Sequence, residues 1–377
     1  MKKQTLSQFM AELKQEGFRL NFINTIILTA IFYIGFFVAF PYLITTGIST
    51  FEAIYGTGLL FWALFSVTVY MHRLVAHKCS KHIAMPVHIW GNLGSVFALQ
   101  SDTATWAGRH ITHHAKEDTK EDPYSPMRSN NIVVGAMWSH FLTHMFDSPH
   151  EGRYDKNSAI LHKRHPILRF FARFYVPLLV VQHIALPFAI GYAFLGGFEA
   201  GLRLFAIHFC FVALLHQITW TVNSVTHIFG QQMGKCSAKN AWWYFAPMGE
   251  GNYHSGHHMF PAHYRNGSPW YIFDPSGWML WCFEKFGWVG ELNRKPRYEI
   301  QSRTLQNYQL YLQKRYPDLW VEWQLKTEEM RAAFESKVQA FKEASHERTA
   351  EAKKEMRIAY KQLLARLNAF NKASQAA

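Results

Sequence analysis

The sequence predicts an all-α integral membrane protein with four transmembrane helices, arranged as two hairpins, and a helical cap on one side of the bilayer. Three observations lead there. Four long stretches contain no Lys, Arg, Asp or Glu: Leu20–Phe51, Ala53–His72, Phe174–Phe198 and Leu204–Gly234. Each meets the roughly 20 apolar residues that a spanning helix needs. Aromatic residues reach 16%, with 31 Phe and 13 Trp, which suits a lipid–water boundary, and charged residues reach only 17%, below the usual quarter or so.

The N-terminal segment to Arg19 is charged, and the apolar run after it is too long for the core of a signal peptide, so no cleavable leader is expected. The first hairpin is predicted at about 22–46 and 53–71, and the second at about 174–195 and 203–223. Between them lies a polar segment, Arg73–Arg173, and after them a cap to about Arg297. His82–Ser101 is a fifth stretch without charge, containing Pro86, Gly91, Asn92 and Gly94. If it crossed the bilayer, the histidines on its two sides would face opposite compartments, so it is expected to lie in the interface. Ile132–Phe146 and Trp270–Trp288 are read as interfacial too. The tail from Lys326 to Lys372 alternates Glu with Lys or Arg around a helical apolar period, which predicts one long amphipathic helix, with a possible break at Ala344–Thr349, folded against the cap. Residues 1–300 are thus expected to form the membrane domain and 301–377 a charged helical tail.

The connections Gly47–Glu52 and Gly196–Leu202 contain no Lys or Arg, whereas everything else outside the spans is rich in them. The positive-inside rule therefore puts both termini and the middle segment in the cytoplasm. A net charge of +13 suits a face near anionic lipid or one that docks an acidic partner. Because that charge is spread around membrane spans, no nucleic-acid partner is expected. The four cysteines, Cys79, Cys210, Cys236 and Cys282, form no CxxC pair, which argues against a disulfide framework and a thiolate metal site.

Histidine carries the chemistry. Of 21 His, nine fall into four groups: His72 and His77 in HRLVAH, His110, His113 and His114 in HITHH, His227 in NSVTH, and His254, His257 and His258 in HSGHH. In HxxHH the positions i, i+3 and i+4 share one helical face, so three imidazoles converge on a metal pair. In HxxxxH five steps place the rings roughly 140° apart around an α-helix. His72 and His77 can meet one ion only if the helix ends there; otherwise they serve different ions. Nine imidazoles exceed what one ion accepts, so two are expected. Under the topology above, all nine stand at one membrane boundary.

Neutral imidazole suits Fe, Zn, Cu and Ni. There is no HExxH or Cys-rich zinc site. The sole Glu-x-x-His, Glu343–His346, lies in the tail, so the soluble carboxylate di-iron pattern is missing as well. An all-nitrogen pair beside hydrocarbon points to iron and dioxygen, which together attack C–H bonds that no side chain attacks unaided.

HRLVAH, RHITHH and GEGNYHSGHH (Gly249–His258) resemble the boxes of the membrane fatty-acid desaturases, in particular the stearoyl-CoA type. The resemblance covers the order of spans and boxes from about Leu20 to Arg297, and Gln100, Asp102 and Trp106 join it, as does the WTVNSVTH run. It implies two ferrous ions held by the nine histidines, with His227 the ninth ligand. Asn223 would touch one metal through water, and Trp106 and Trp220 would line an acyl tunnel. Two departures stand out: Ile111 replaces the Arg usual after the first histidine of the second box, and Asn252 and Tyr253 make two residues where the family has one. Acyl-CoA, acyl carrier protein and intact lipid stay open as substrate forms.

The expected function is oxygen-dependent desaturation of a fatty-acyl chain in the bilayer. No HPGG, Rossmann fingerprint or CxxC is present, so electrons would come from a separate ferredoxin, rubredoxin or cytochrome b5 type protein. Two alternatives share the site but differ in outcome: hydroxylation, and decarboxylation to a terminal alkene. A metal carrier would instead place its ligands near mid-membrane.

Overall fold

A computed structural model describes residues 3–266, 271–344 and 349–376. The chain opens with α1 (Leu6–Gln15), started by a capping box in which the Thr5 hydroxyl accepts from the Gln8 amide and the Gln8 side chain accepts from the Thr5 amide. Four helices are long and apolar enough to cross a membrane: α2 (Phe22–Thr46), α3 (Thr50–Ala76), α9 (Tyr175–Phe194) and α10 (Phe198–Ile228). The last two match the predicted hairpin except that α10 runs further at both ends. Between the hairpins lie α4 (Met85–Ala98), α5 (Thr103–Ala115), α6 (Ile132–His140), α7 (Glu151–Arg164) and α8 (Pro166–Arg173). After them come α11 (His254–Met259), α12 (Pro275–Lys285), α13 (Arg297–Arg315), α14 (Pro317–Glu343) and α15 (Thr349–Ala376). Two antiparallel two-residue ladders, β1 (Arg19–Leu20) with β2 (Phe146–Asp147) and β3 (Gln231–Gln232) with β4 (Lys239–Asn240), pin loops and do not alter the helical class.

The spans differ in role. α3 is largely buried, while α2 and α9 turn most of their apolar surface outward, as lipid-facing helices do. On the side away from the histidines, Glu52 closes a capping box with Ser49 and accepts from Arg203 Nε at 2.6 Å, which joins the two hairpins.

From Ser66 to Ala76, α3 is wound as a π-helix, and the His77 amide bonds back to the His72 carbonyl five residues earlier. In that winding, residues five apart share a face. The His72 and His77 rings therefore lie 4.8 Å apart instead of on different sides, and the helix also ends there, with His77 as its cap.

α4 has 14 residues, about 21 Å of rise and well short of a bilayer core of roughly 30 Å. Its glycines allow close packing against the π-wound part of α3: a Cβ on Gly91 would stand 2.1 Å from the Tyr70 ring, and one on Gly94 1.8 Å from Ser66 Oγ. The stretch expected to be interfacial around Ile132–Phe146 forms α6 and a short 3-10 turn; the other resolves into α12, and its first residue, Trp270, lies outside the described residues.

The tail departs from a single helix. α14 and α15 pack against each other, with Lys337 reaching Glu355 at 2.7 Å and Phe334 facing Tyr360 at 6.1 Å. Residues 345–348, where the break was expected and where His346 stands, lie outside the described residues. Together with α13 the pair forms a second core, in which Leu305, Tyr308, Leu363 and Phe370 pack with Met233, Met259 and Phe260 from beside α11.

Candidate metal centre and acyl cavity

All nine histidines meet. His72 and His77 come from the end of α3, His110, His113 and His114 from α5, His227 from α10, and His254, His257 and His258 from α11. α5 is placed by its cap, since Asp102 Oδ1 accepts from the Ala104 and Thr105 amides at 3.0 and 3.2 Å. The rings divide into two groups. One holds His72, His77, His110, His114 and His257. The other holds His113, His227 and His258, with His254 Nε2 at 3.0 Å from His227 Nε2 and 3.2 Å from His258 Nε2. Each HxxHH box is thus split between the two groups.

The spacing of the nitrogens fits a metal polyhedron. In the first group Nε2 atoms stand 3.0 Å apart for His72–His257 and His114–His257, and 2.9 Å for His77–His110. Imidazole nitrogens about 2.1 Å from one ion and at right angles to each other would be about 3.0 Å apart. His113 Nε2 is buried and has no hydrogen-bond partner, in the company of His227 and His258. A buried orphan nitrogen is costly unless an ion uses it.

Orienting partners hold the other ring nitrogen. Asp122 Oδ1 accepts from His113 Nδ1 at 2.8 Å, and Glu250 Oε2 from His72 Nδ1 at 3.2 Å. Ser237 Oγ is 2.8 Å from His227 Nδ1, Asn266 Oδ1 3.2 Å from His257 Nδ1, and Glu117 Oε1 2.5 Å from His258 Nδ1. The Asp122 and Glu250 carboxylates accept, so on His113 and His72 the proton sits on Nδ1 and the Nε2 lone pair faces inward. Sequence reasoning named none of these five. Glu250 sits inside the quoted GEG run, but Asp122, Ser237 and Asn266 lie nine or ten residues from their histidines across turns, with no spacing rule to reveal them.

Charge reinforces the picture. Burial first, and then neighbouring imidazoles, hold His110, His114, His257 and His258 well below the ordinary imidazole value, and His254 at about 3. They are neutral and free to bind metal. Burial would raise the Glu250 carboxyl, but Arg73 and His72 hold it at about 2. Arg73, fully buried, donates through Nε to Glu250 at 2.9 Å and through Nη1 to Asp274 at 3.1 Å. Burial lifts the Glu117 carboxyl to about 7.

A cavity of about 540 Å³ ends on His72, His110 and His254. Its volume falls in the range of small-molecule sites, roughly 300–1,000 Å³. Asn223, one turn before His227 on α10, lines it, as do Trp106 and Trp220. Trp106 stacks on His110 at 5.0 Å, and Trp220 lies between His144 and His216 at 4.5 Å from each. Gln100 Nε2 donates to Thr219 Oγ1 at 2.7 Å, closing one wall.

Residues 53–279, the span that carries every one of these histidines, match the family model for fatty acid desaturases. The chain belongs to the fatty acid desaturase family. A probable acyl-CoA desaturase of Schizosaccharomyces pombe is 28% identical over 273 residues, 71% of this chain, which spans about half (54%) of that relative's length. The Delta-9 desaturase-like 4 protein of Arabidopsis thaliana is 29% identical over 66% of this chain and 79% of its own. An sn-2 palmitoyl-lipid 9-desaturase of Nostoc sp. is 30% identical over 63% and 80%. Membership of this family, with four helices among the described residues that are long and apolar enough to cross a bilayer, makes the chain a membrane protein.

Proposed function

We propose that this desaturase introduces a carbon–carbon double bond into a fatty-acyl chain at a pair of iron ions, with dioxygen as oxidant. The observation that carries the reading is two groups of inward-facing histidine Nε2 atoms at the end of an apolar cavity. His72, His77, His110, His114 and His257 would hold one ferrous ion, and His113, His227, His254 and His258 the other. Bound there, iron supplies the oxygen chemistry needed to take hydrogen from an unactivated C–H bond. The reaction balances as one acyl CH2–CH2 pair, O2, two electrons and two protons giving one CH=CH and two waters.

The chain's own residues bind, orient and shield. Trp106 and Trp220 bound the cavity and present apolar faces to an acyl chain, and Asn223, one turn before His227, would offer its amide to a water beside the second group. Asp122 and Glu250 keep their histidines in the metal-binding tautomer. Electrons would come from a separate ferredoxin, rubredoxin or cytochrome b5 type protein, and the +13 net charge favours an acidic one. Both termini and the site are assigned to the cytoplasmic side because the connections at the other ends of the spans lack Lys and Arg, with Arg203 beside them paired to Glu52. Residues 1–300 would form the catalytic unit and 301–377 its tail.

Expression in a host without the gene, followed by mass spectrometry of its lipids, tests the outcome. New monounsaturated chains are expected from the wild type and none from His110→Ala. A hydroxylated chain or a terminal alkene as the main product would overturn desaturation, and protein purified without iron would overturn the metal assignment.

A further inference from the structure

The cavity that ends on His72, His110 and His254 shows where its contents come from. Among its lining residues only three are exposed: Asn24 and Ile27 on α2, and Val176 on α9, the latter two at 47% and 66%. All three lie on outward-facing surfaces of lipid-facing helices, and α2 and α9 pack chiefly on other elements rather than on each other. Asn24 and Val176 stand at the histidine ends of their spans. Leu28, also lining, takes the gap about 9 Å below Phe22 at ~1.5 Å of rise per residue. If the span begins at the membrane surface, that depth is close to where lipid headgroups give way to acyl chains. Toward the cap the lining is less exposed, with Tyr124, Pro247 and Glu250 buried and Asp102, Thr105 and Arg109 half-buried.

Charge beside the gap suits the same ligand. α8 buries Leu168 and Phe171 and exposes Arg169 and Arg173, and Lys163 and Arg164 at the end of α7 are exposed as well. Such a helix lies in the plane of the interface with its basic groups among phosphates. Ala172 of α8 itself lines the cavity, so this basic surface borders the opening.

We propose that the acyl chain reaches the histidine site sideways from the bilayer, through the gap between α2 and α9, and that the substrate is the acyl chain of an intact membrane phospholipid. This rests on the reading of the site as an acyl-oxidising centre. A chain sliding from hydrocarbon into an apolar cavity never crosses water, and its phosphate stays among Lys163, Arg164, Arg169 and Arg173. A water-soluble thioester would have to enter from the cap side, where none of the lining residues is exposed.

The test uses membranes containing the full chain, fused with phosphatidylglycerol vesicles whose acyl chain bears a photoactivatable diazirine. Labelled peptides containing Trp106 or Trp220 are expected in the wild type. Val176→Trp should lose the label while keeping its iron, and Val180→Trp, one turn along at a position that does not line the cavity, should keep both. Undiminished labelling in Val176→Trp overturns the lateral route. So does labelling by diazirine-bearing palmitoyl-CoA that Val176→Trp leaves unchanged, although the acyl-oxidising reading then survives. A site labelled by neither probe, in protein without iron, removes both.

Discussion

Glu250 is the residue on which most of the buried polar structure converges. It accepts from His72 Nδ1, from Arg73 and from Asn266 Nδ2 at 2.7 Å, and Asn266 in turn faces His257. One carboxylate therefore steadies two members of the first histidine group and the guanidinium beside them. Glu250→Gln keeps the shape but removes the charge and leaves Arg73 with the Asp274 carboxylate and the Tyr264 carbonyl. Loss of an orienting partner typically weakens metal affinity by about 10–100-fold. We expect Glu250→Gln to lose iron during dialysis against a weak chelator while the wild type retains it, as read by elemental analysis. Asp122→Asn should do the same through His113. The histidines were legible in the sequence because box spacing is local and imidazole has few other reasons to cluster. Their partners were not, because turns bring Asp122, Ser237 and Asn266 back from loops whose sequences carry no period.

At the scale of elements, the π-wound end of α3 decides whether HRLVAH can serve one centre. Charge-free runs located the spans, since hydropathy is a property of composition. The shift from α to π winding leaves no mark on composition; its only trace was that two histidines five residues apart could not share a face of an α-helix. Tight packing holds the winding in place, with Tyr70 and Ser66 seated on the glycine face of α4. Gly94→Ala puts a methyl 1.8 Å from Ser66 Oγ. Overpacking of this kind costs about 1–3 kcal/mol. The variant should melt at a lower temperature in detergent and bind less iron, whereas Gly58→Ala, where an added Cβ meets nothing within 4 Å, should match the wild type in both.

At the scale of the whole molecule, the site makes the fold sensitive to acid. His110, His114, His257 and His258 are held well below the ordinary imidazole value of 6.5, and His254 at about 3. The unfolded chain takes up protons as pH drops through 6.5, and the folded metal-free chain does not, so stability falls with pH from there downward. Glu250 acts in the same direction lower down, between the ordinary carboxyl value of 4.5 and about 2. Two groups oppose the trend, His113, whose burial is outweighed by Asp122, and Glu117, lifted by burial to about 7, but they are outnumbered. Metal-free protein should thus show a falling melting temperature below pH 6.5 and iron should dissociate over the same range; a flat profile between pH 6.5 and 4 would contradict the burial of these rings. The tail matters here too. Removing 301–377 exposes Met233, Met259 and Phe260, side chains worth roughly 1.5–3 kcal/mol each when buried. The truncated protein should reach the membrane but lose iron and aggregate in size-exclusion runs. The tail's helical period and a break at Ala344–Thr349 were readable from the sequence; the packing of α15 back against α14 was not, because it depends on contacts between residues far apart in the chain.

That packing also fixes an order of assembly. His72 is synthesised 186 residues before His258, and the floor under His254, His257 and His258 is built from helices made later still, with Arg303 over the Phe260 ring at 5.2 Å. A nascent chain emerging from the ribosome inserts its four spans with the nine imidazoles still scattered. The proposed iron centre can be completed only once His258 and the helices beneath it have been made, so cells short of iron are expected to accumulate inserted but empty protein rather than fail to make it.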